Sequence, residues 1–146
     1  MKKTKFLIIA LIAVMLVSFM PIVVNAVTET YTATSTINGI EVSWEYSLND
    51  SGEIIDLICT SKDALADQDF TIPSTIDGKT VVELGVDCFR KCRMTGVTIP
   101  DTVKKVGHGA FGDDYNLSRV DLGRIESISD DVFPEFLSSR NLSTVS

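Results

Sequence analysis

Phe89, Phe111 and Phe133 recur at intervals of 22 residues, and they do so inside a larger pattern. Cys88, Ala110 and Val132 precede them directly. Leu84, Val106 and Ile128 stand five residues before each ring, and Val81, Val103 and Ile125 stand eight before. Gly85 and Gly107 keep one phase, with Ser129 in the third copy. Self-similarity at a fixed period with fixed offsets marks a repeat architecture. A unit of this size cannot bury its own apolar stripe, so each copy must stack on a neighbour. The three rings are therefore expected to form an aromatic ladder inside one core.

A β-like segment precedes each phased block: Phe70-Thr71-Ile72-Pro73, Val97-Thr98-Ile99-Pro100 and Val120-Asp121-Leu122-Gly123. Apolar, polar, apolar is the period of two that a strand requires. A proline or glycine then ends the strand and turns the chain. The first copy is longer, with a small Asp77-Gly78 turn before Val81. The spacing predicts one strand per copy in a parallel sheet, a second short extended segment carrying Val103 and Val106, and a helical turn near Ala110-Phe111 that closes the unit. Leu142-Ser143-Thr144-Val145 begins a fourth copy. That last strand is expected to be an open edge, apt to self-associate, with Phe136 and Leu137 folding partly over it.

Residues 27–68 lack the repeat. Residues 31–37 are Thr-rich and β-prone, and Asn38-Gly39 is a strong hairpin signal. From Ile40 to Leu48 the chain alternates, placing Ile40, Val42, Trp44, Tyr46 and Leu48 on one face. Residues 49–52 turn the chain again, and residues 53–60 return as a third strand. This predicts an antiparallel β-meander whose apolar face, with Trp44 at its centre, caps the first repeat. An exposed Trp44 that stacks on a sugar or peptide is the alternative. Residues 62–69 read as a polar, acidic connector.

The run Met94-Thr95-Gly96-Val97-Thr98-Ile99-Pro100-Asp101-Thr102-Val103-Lys104-Lys105-Val106-Gly107-His108-Gly109-Ala110-Phe111 resembles the BspA-type leucine-rich repeat. Residues 71–81 also resemble that family's first repeat. The third copy departs from the pattern, with Leu122-Gly123 for Ile-Pro and Ser129 for Gly. The resemblance implies a mostly β fold with short helical turns: a right-handed leucine-rich-repeat solenoid of about three repeats, preceded by the meander cap. It also implies a secreted or surface-attached role in adhesion to host or matrix proteins. Outward strand residues Thr71, Thr98 and Asp121, with Arg119 beside them, are the expected contact surface.

The start of the chain reads as an export signal. Lys2, Lys3 and Lys5 precede an uninterrupted apolar run over residues 6–17, Pro21 breaks it, and Val24-Asn25-Ala26 presents a cleavage site. Cleavage after Ala26 is expected; an uncleaved membrane anchor is the rival. No cysteine stands near the site to take a lipid anchor. The remainder keeps ten of the 13 basic side chains and all 20 acidic ones, a formal charge of −10. That balance repels nucleic acid and anionic lipid, so neither is expected as a partner. A host or matrix protein, or a cell-wall glycan, fits better.

Chemistry is sparsely supplied. His108 is the only histidine and no G-x-S-x-G elbow accompanies it. Asp113-Asp114 and Asp130-Asp131 fall at different phases of the repeat, so paired carboxylate catalysis is not expected, and Asp130 reads as a helix cap. Neither pair completes a calcium loop. Arg90-Lys91-Arg93, with Lys104-Lys105, forms either an anionic-ligand patch or a solvated face. Cys59, Cys88 and Cys92 are three buried small hydrophobes, a partly disulfide-bonded set, or, with the worst fit, metal ligands. Asn49, Asn116 and Asn141 begin N-x-S triplets. No catalytic residue, metal or cofactor is expected. A secreted hydrolase and a spacer or fragment of a larger repeat protein are the competing readings.

Overall fold

The computed structural model describes residues 29–133. The expected signal segment, its cleavage site, and the C-terminal residues 134–146 lie outside the described residues. The described part is mostly strand with almost no helix.

Three strands open the fold: β1 (Tyr31–Ile37), β2 (Ile40–Leu48) and β3 (Ile54–Cys59). β1 pairs antiparallel with β2, and β2 with β3. Asn38 and Gly39 connect the first pair with φ of 51° and 81°, the two positive dihedrals a type I′ turn needs. Asn49 closes the next turn. Its Oδ1 accepts the N–H groups of Ser51 and Glu53, at 3.0 and 2.9 Å. Alternation along β2 buries Val42, Trp44 and Tyr46, and Ile40 and Leu48 pack half-buried against the same core. A bulge between Glu45 and Ser47 interrupts the period, so Ser47 is buried next to Tyr46.

A 3-10 turn, Lys62–Leu65, replaces the expected polar connector and drives Leu65 into the core. Then come β4 (Asp69–Thr71), the β5 (Thr75–Ile76) and β6 (Lys79–Thr80) hairpin around Asp77-Gly78, and β7 (Glu83–Leu84). The pattern continues with β8 (Gly96–Thr98), β9 (Lys105–Val106), β10 (Arg119–Asp121) and β11 (Ser127–Ile128).

Parallel pairing organises these later strands. One ladder runs β10-β8-β4, bringing Phe70, Val97 and Val120 side by side. The other runs β3-β7-β9-β11, aligning Leu57, Leu84, Val106 and Ile128. Thus β3 belongs to two patterns at once. It is antiparallel to β2 and parallel to β7, and it occupies the place a preceding copy would take. The N–H of Gly85 donates to Leu57 O, as Gly107 does to Leu84 O and Ser129 to Val106 O, at 2.8, 2.9 and 3.0 Å.

The glycine phase follows from this stacking. A Cβ at Gly107 would lie 2.8 Å from the Gly85 carbonyl carbon, and one at Gly85 would lie 3.0 Å from that of Asp56. Backbone passes too close for a side chain. Behind it the rings stack: Phe89 on Phe111 at 5.5 Å and 3°, and Phe111 on Phe133 at 5.5 Å and 7°.

Two expectations on this segment are corrected. The closing element is not helical: it consists of i→i−3 turns, such as Ala110 N–H to Gly107 O and Gly112 N–H to Gly109 O. Left-handed residues interrupt it at two phased columns, Asp87, Gly109 and Asp131, and Lys91 with Asp113. Asp tolerates that conformation better than most side chains. Asp130 therefore has no helix to cap among the described residues. Ile128 is the second correction. Its counterparts Leu84 and Val106 are buried, but it is 44% exposed, because β11 is the outermost strand of its ladder among the described residues.

Candidate binding surface

The three strands β4, β8 and β10 place their polar residues in rungs. Thr71, Thr98 and Asp121 are register partners on one rung. Thr71 is exposed, and Thr98 and Asp121 are half-buried. Asp69, Gly96 and Arg119 form the neighbouring rung. Arg119 reaches across the middle strand and its Nη2 binds both carboxylate oxygens of Asp69, the Oδ2 contact at 2.6 Å. That carboxylate holds the guanidinium firmly in its charged form.

Gly96 makes this reach possible. Strands two apart in a sheet are separated by about 9–10 Å, and a side chain on the middle strand would stand in the way. A Cβ on Gly96 would come 2.9 Å from Asp69 Oδ1 and 3.4 Å from Arg119 Nε. Asp69 and Gly96 are absent from the surface expected from sequence. Aligning each strand on its inward apolar residue would have found them, since Asp69, Gly96 and Arg119 each stand one residue before Phe70, Val97 and Val120.

Trp44 is 1% exposed. It packs 6.3 Å from Phe70 and edge-on to Phe89 at 6.1 Å and 79°. The exposed-aromatic alternative for a sugar or peptide is thereby removed. Arg90, Arg93 and the Lys104-Lys105 pair do not gather into an anion site. Arg90 binds Asp113 at 2.8 Å and Asp87 at 3.4 Å, Arg93 faces Asp63, Lys104 faces Glu126 and Lys105 faces Glu83. These four cations are matched to carboxylates on the solvated surface, Lys91 is exposed with no ion pair to a described carboxylate, and the Arg90 contact draws the Asp113 carboxyl below its usual range.

His108 is exposed, and its Nδ1 lies 2.9 Å from the Asp130 carbonyl oxygen one copy along. This contact bridges neighbouring turns and engages one of the two ring nitrogens with backbone. The carboxyl pairs also separate. Asp113 points outward to Arg90 and Tyr115. Asp114 is fully buried and its Oδ2 accepts the Met94 N–H at 3.1 Å. Among the described residues, no group of three or more His, Cys, Asp or Glu is placed to hold a metal ion. Cys59, Cys88 and Cys92 are buried and free.

Asp114 gives a pH prediction. Burial pushes its carboxyl above the ordinary aspartate value, and the backbone N–H groups of Met94 and Asn116 oppose that only in part. A raised folded value means the folded state binds the proton more tightly, so stability falls as pH rises through that value. An Asn at this position stays neutral throughout. Asp114→Asn is therefore expected to gain stability relative to the parent as pH rises above about 4, with the gain shrinking below pH 4. Thermal melts of both proteins on either side of that pH check it. A difference independent of pH would refute the assignment.

No helix among the described residues is long and apolar enough to cross a membrane. Residues 67–146 match the family model described as BspA type Leucine rich repeat region (6 copies). No curated protein matches the chain. Among solved structures, it is similar to the T. pallidum leucine-rich repeat protein, with 27% sequence identity and a TM-score of 0.56. That likeness covers 65% of this chain and 44% of the Treponema chain, so this chain spans less than half of that relative's length.

Proposed function

The chain belongs to the BspA-type leucine-rich repeat family, and from that premise we propose that it is a secreted or surface-exposed protein-binding module without catalytic activity. One observation carries the reading: β4, β8 and β10 align Thr71, Thr98 and Asp121 on a single outward rung, beside the Asp69–Arg119 pair. A repeat array binds through residues that occupy one outward position per copy and so form an extended face. Here that face is polar, and its strongest charges are already neutralised against each other. Such a face suits the polar surface of another protein better than a polyanion. The family is generally non-catalytic, and the engagement of His108 with backbone fits that character.

In this reading the chain divides into a signal segment, residues 1–26, a meander cap, residues 27–68, and repeats, residues 69–146. The stack is a right-handed solenoid of about three repeats, and the meander covers its first coil. The parallel register from β3 through β11 supports the stacking. The apolar run over residues 6–17 and the Val-Asn-Ala site support export. The partner is a host or matrix protein, reached through adhesion.

The test is a binding assay of the immobilised protein against matrix proteins, mucins and cell-wall glycans. Saturable binding to a protein ligand is expected. Thr98→Arg, at the centre of the rung, should weaken it at least about tenfold, since a misplaced charge at an interface costs several kcal/mol, while the far-UV spectrum stays unchanged. Binding to glycans alone, or binding indifferent to Thr98→Arg, would refute the reading. The 44% coverage of the Treponema protein favours one second reading, a spacer or fragment whose binding face lies in further repeats. Capture of no ligand would favour it.

A further inference from the structure

We propose that β1 is a dimerisation edge: two copies of this chain pair antiparallel through residues 31–37 about a twofold axis at Thr34, which joins their six-stranded sheets into one. β1 is the outer strand of its sheet and pairs with β2 on one side. Among the described residues, no strand pairs with its other side. The register shows which groups lie there. Ile37 and Ile40 flank the two-residue turn as a hydrogen-bonded pair, and such pairs alternate along an antiparallel ladder. Ser35, Ala33 and Tyr31 therefore bond to β2. The backbone N–H and C=O groups of Thr32, Thr34 and Thr36 point away from it.

A row of open backbone groups is a template for another strand, and native sheets blunt it with Lys, Pro, a bulge or an inward charge. β1 reads Tyr-Thr-Ala-Thr-Ser-Thr-Ile and has none of these. Its pairing with β2 runs unbroken over all seven residues.

The occupant is a second copy because the edge is complementary to itself. With Thr34 on the axis, Thr32 faces Thr36 of the second copy, Tyr31 faces its Ile37, and Ala33 faces its Ser35. Each threonine pair exchanges two main-chain hydrogen bonds, and the exposed threonine side chains meet across the strands on the solvent face. On the opposite face Tyr31, Ala33 and Ile37 are only half-buried against the core, and the second strand covers them with the same three residues. Charge permits the approach. Glu41 and Glu45 stand one strand in, as register partners of Thr36 and Thr32. Three strand spacings, about 14 Å, separate Glu45 from Glu41 of the second copy, more than the Debye length of about 8 Å in physiological salt. Glu29 falls opposite Gly39, which carries no charge. A strand of another protein meets the same backbone groups, but a second copy always brings the matching Tyr31, Ile37 and uncharged threonine row.

The test is sedimentation equilibrium of the chain as released by an exporting host. Seven residues a side is less than the about 20–30 of a standard interface, so a reversible dimer with a Kd on the order of 10–100 μM is expected. Both copies are acidic, so added salt should tighten the dimer, whereas an interface built on ion pairs would loosen. Thr34→Pro removes the two central bonds and none to β2, because its N–H points outward. It should weaken the dimer at least about tenfold, as two lost net hydrogen bonds imply, with the far-UV spectrum unchanged. Thr34→Lys sets two ammonium groups against each other at the axis and should do the same without restricting the backbone. Register is read by crosslinking. Thr34→Cys should form a disulfide with its own copy on mild oxidation, since paired Cα atoms about 5.5 Å apart suit one. Thr32→Cys should not, because its counterpart lies about 13 Å along the strand. A parent that stays monomeric, a dimer that both Thr34→Pro and Thr34→Lys leave intact, or equal crosslinking of Thr32→Cys and Thr34→Cys would overturn the proposal. None of these outcomes depends on what the outward face binds.

Discussion

Phe111→Ala is expected to destabilise the protein by about 3–5 kcal/mol, the range for removing a buried ring from a packed core. A domain of this size holds about 5–15 kcal/mol in all, so the variant stands near the edge of folding. The cost is high here because the ring is fully buried between two others, on Phe89 at 5.5 Å and on Phe133 at 5.5 Å. Its own backbone N–H donates to Val132 O at 2.8 Å, and Phe89 N–H donates to Ala110 O at 2.7 Å. These bonds fix the distance between turns, so the neighbours cannot collapse into the space. Phe133 is the internal control: it is half-buried and, among the described residues, has one ring neighbour in the ladder. Phe133→Ala should cost clearly less, about 1–2 kcal/mol, as expected for losing part of a ring's burial. Urea unfolding followed by circular dichroism measures both. Equal losses would show that the ladder is not what the stack leans on.

The phase of the repeat was legible because burial enforces it. Every copy must present its apolar residues to the same interior, so Leu84 and Val106, or Phe89 and Phe111, cannot drift in position. The hairpin at Asn38-Gly39 was legible for a similar reason, since few residue pairs accept two positive φ angles. What sequence did not disclose is pairing between copies. Nothing in residues 54–59 marks β3 as parallel to β7, because its apolar positions serve the meander and the first repeat equally well. The Asp69–Arg119 pair was hidden because its partners lie 50 residues apart and depend on a glycine between them. The left-handed columns were readable but subtle: Asp87, Gly109 and Asp131 keep the 22-residue phase, yet only turn geometry gives that phase its meaning. Cys92 and Asp114 share a phase as well and both are buried, although one is a thiol and the other a carboxyl. Position in the repeat fixes where a side chain goes; its chemistry is left to vary.

The junction between meander and repeats gives the second large effect. Trp44→Ala should lose about 3–5 kcal/mol in a single unfolding transition, because Trp44 lies against Phe70 of the first repeat's strand and Phe89 of its turn. If the meander were an independent unit, the same substitution would split unfolding into two steps. Trp44→Phe sharpens the argument. The indole Nε1–H is buried without a hydrogen-bond partner among the described residues, and an unmet buried donor costs about 1–3 kcal/mol. Phenylalanine removes that donor along with some packing, so its net cost should be far smaller than that of alanine, about 0–2 kcal/mol. A double-mutant cycle between Trp44 and Phe89 isolates the contact across the junction. Edge-to-face pairs contribute about 0.5–1.5 kcal/mol beyond burial, and a coupling in that range should be read from urea unfolding of the four proteins. Zero coupling would mean that the ring merely fills space. A positive coupling means the meander's largest side chain and the first member of the phenylalanine ladder form one cooperative core, which holds the first repeat's strand and turn in place.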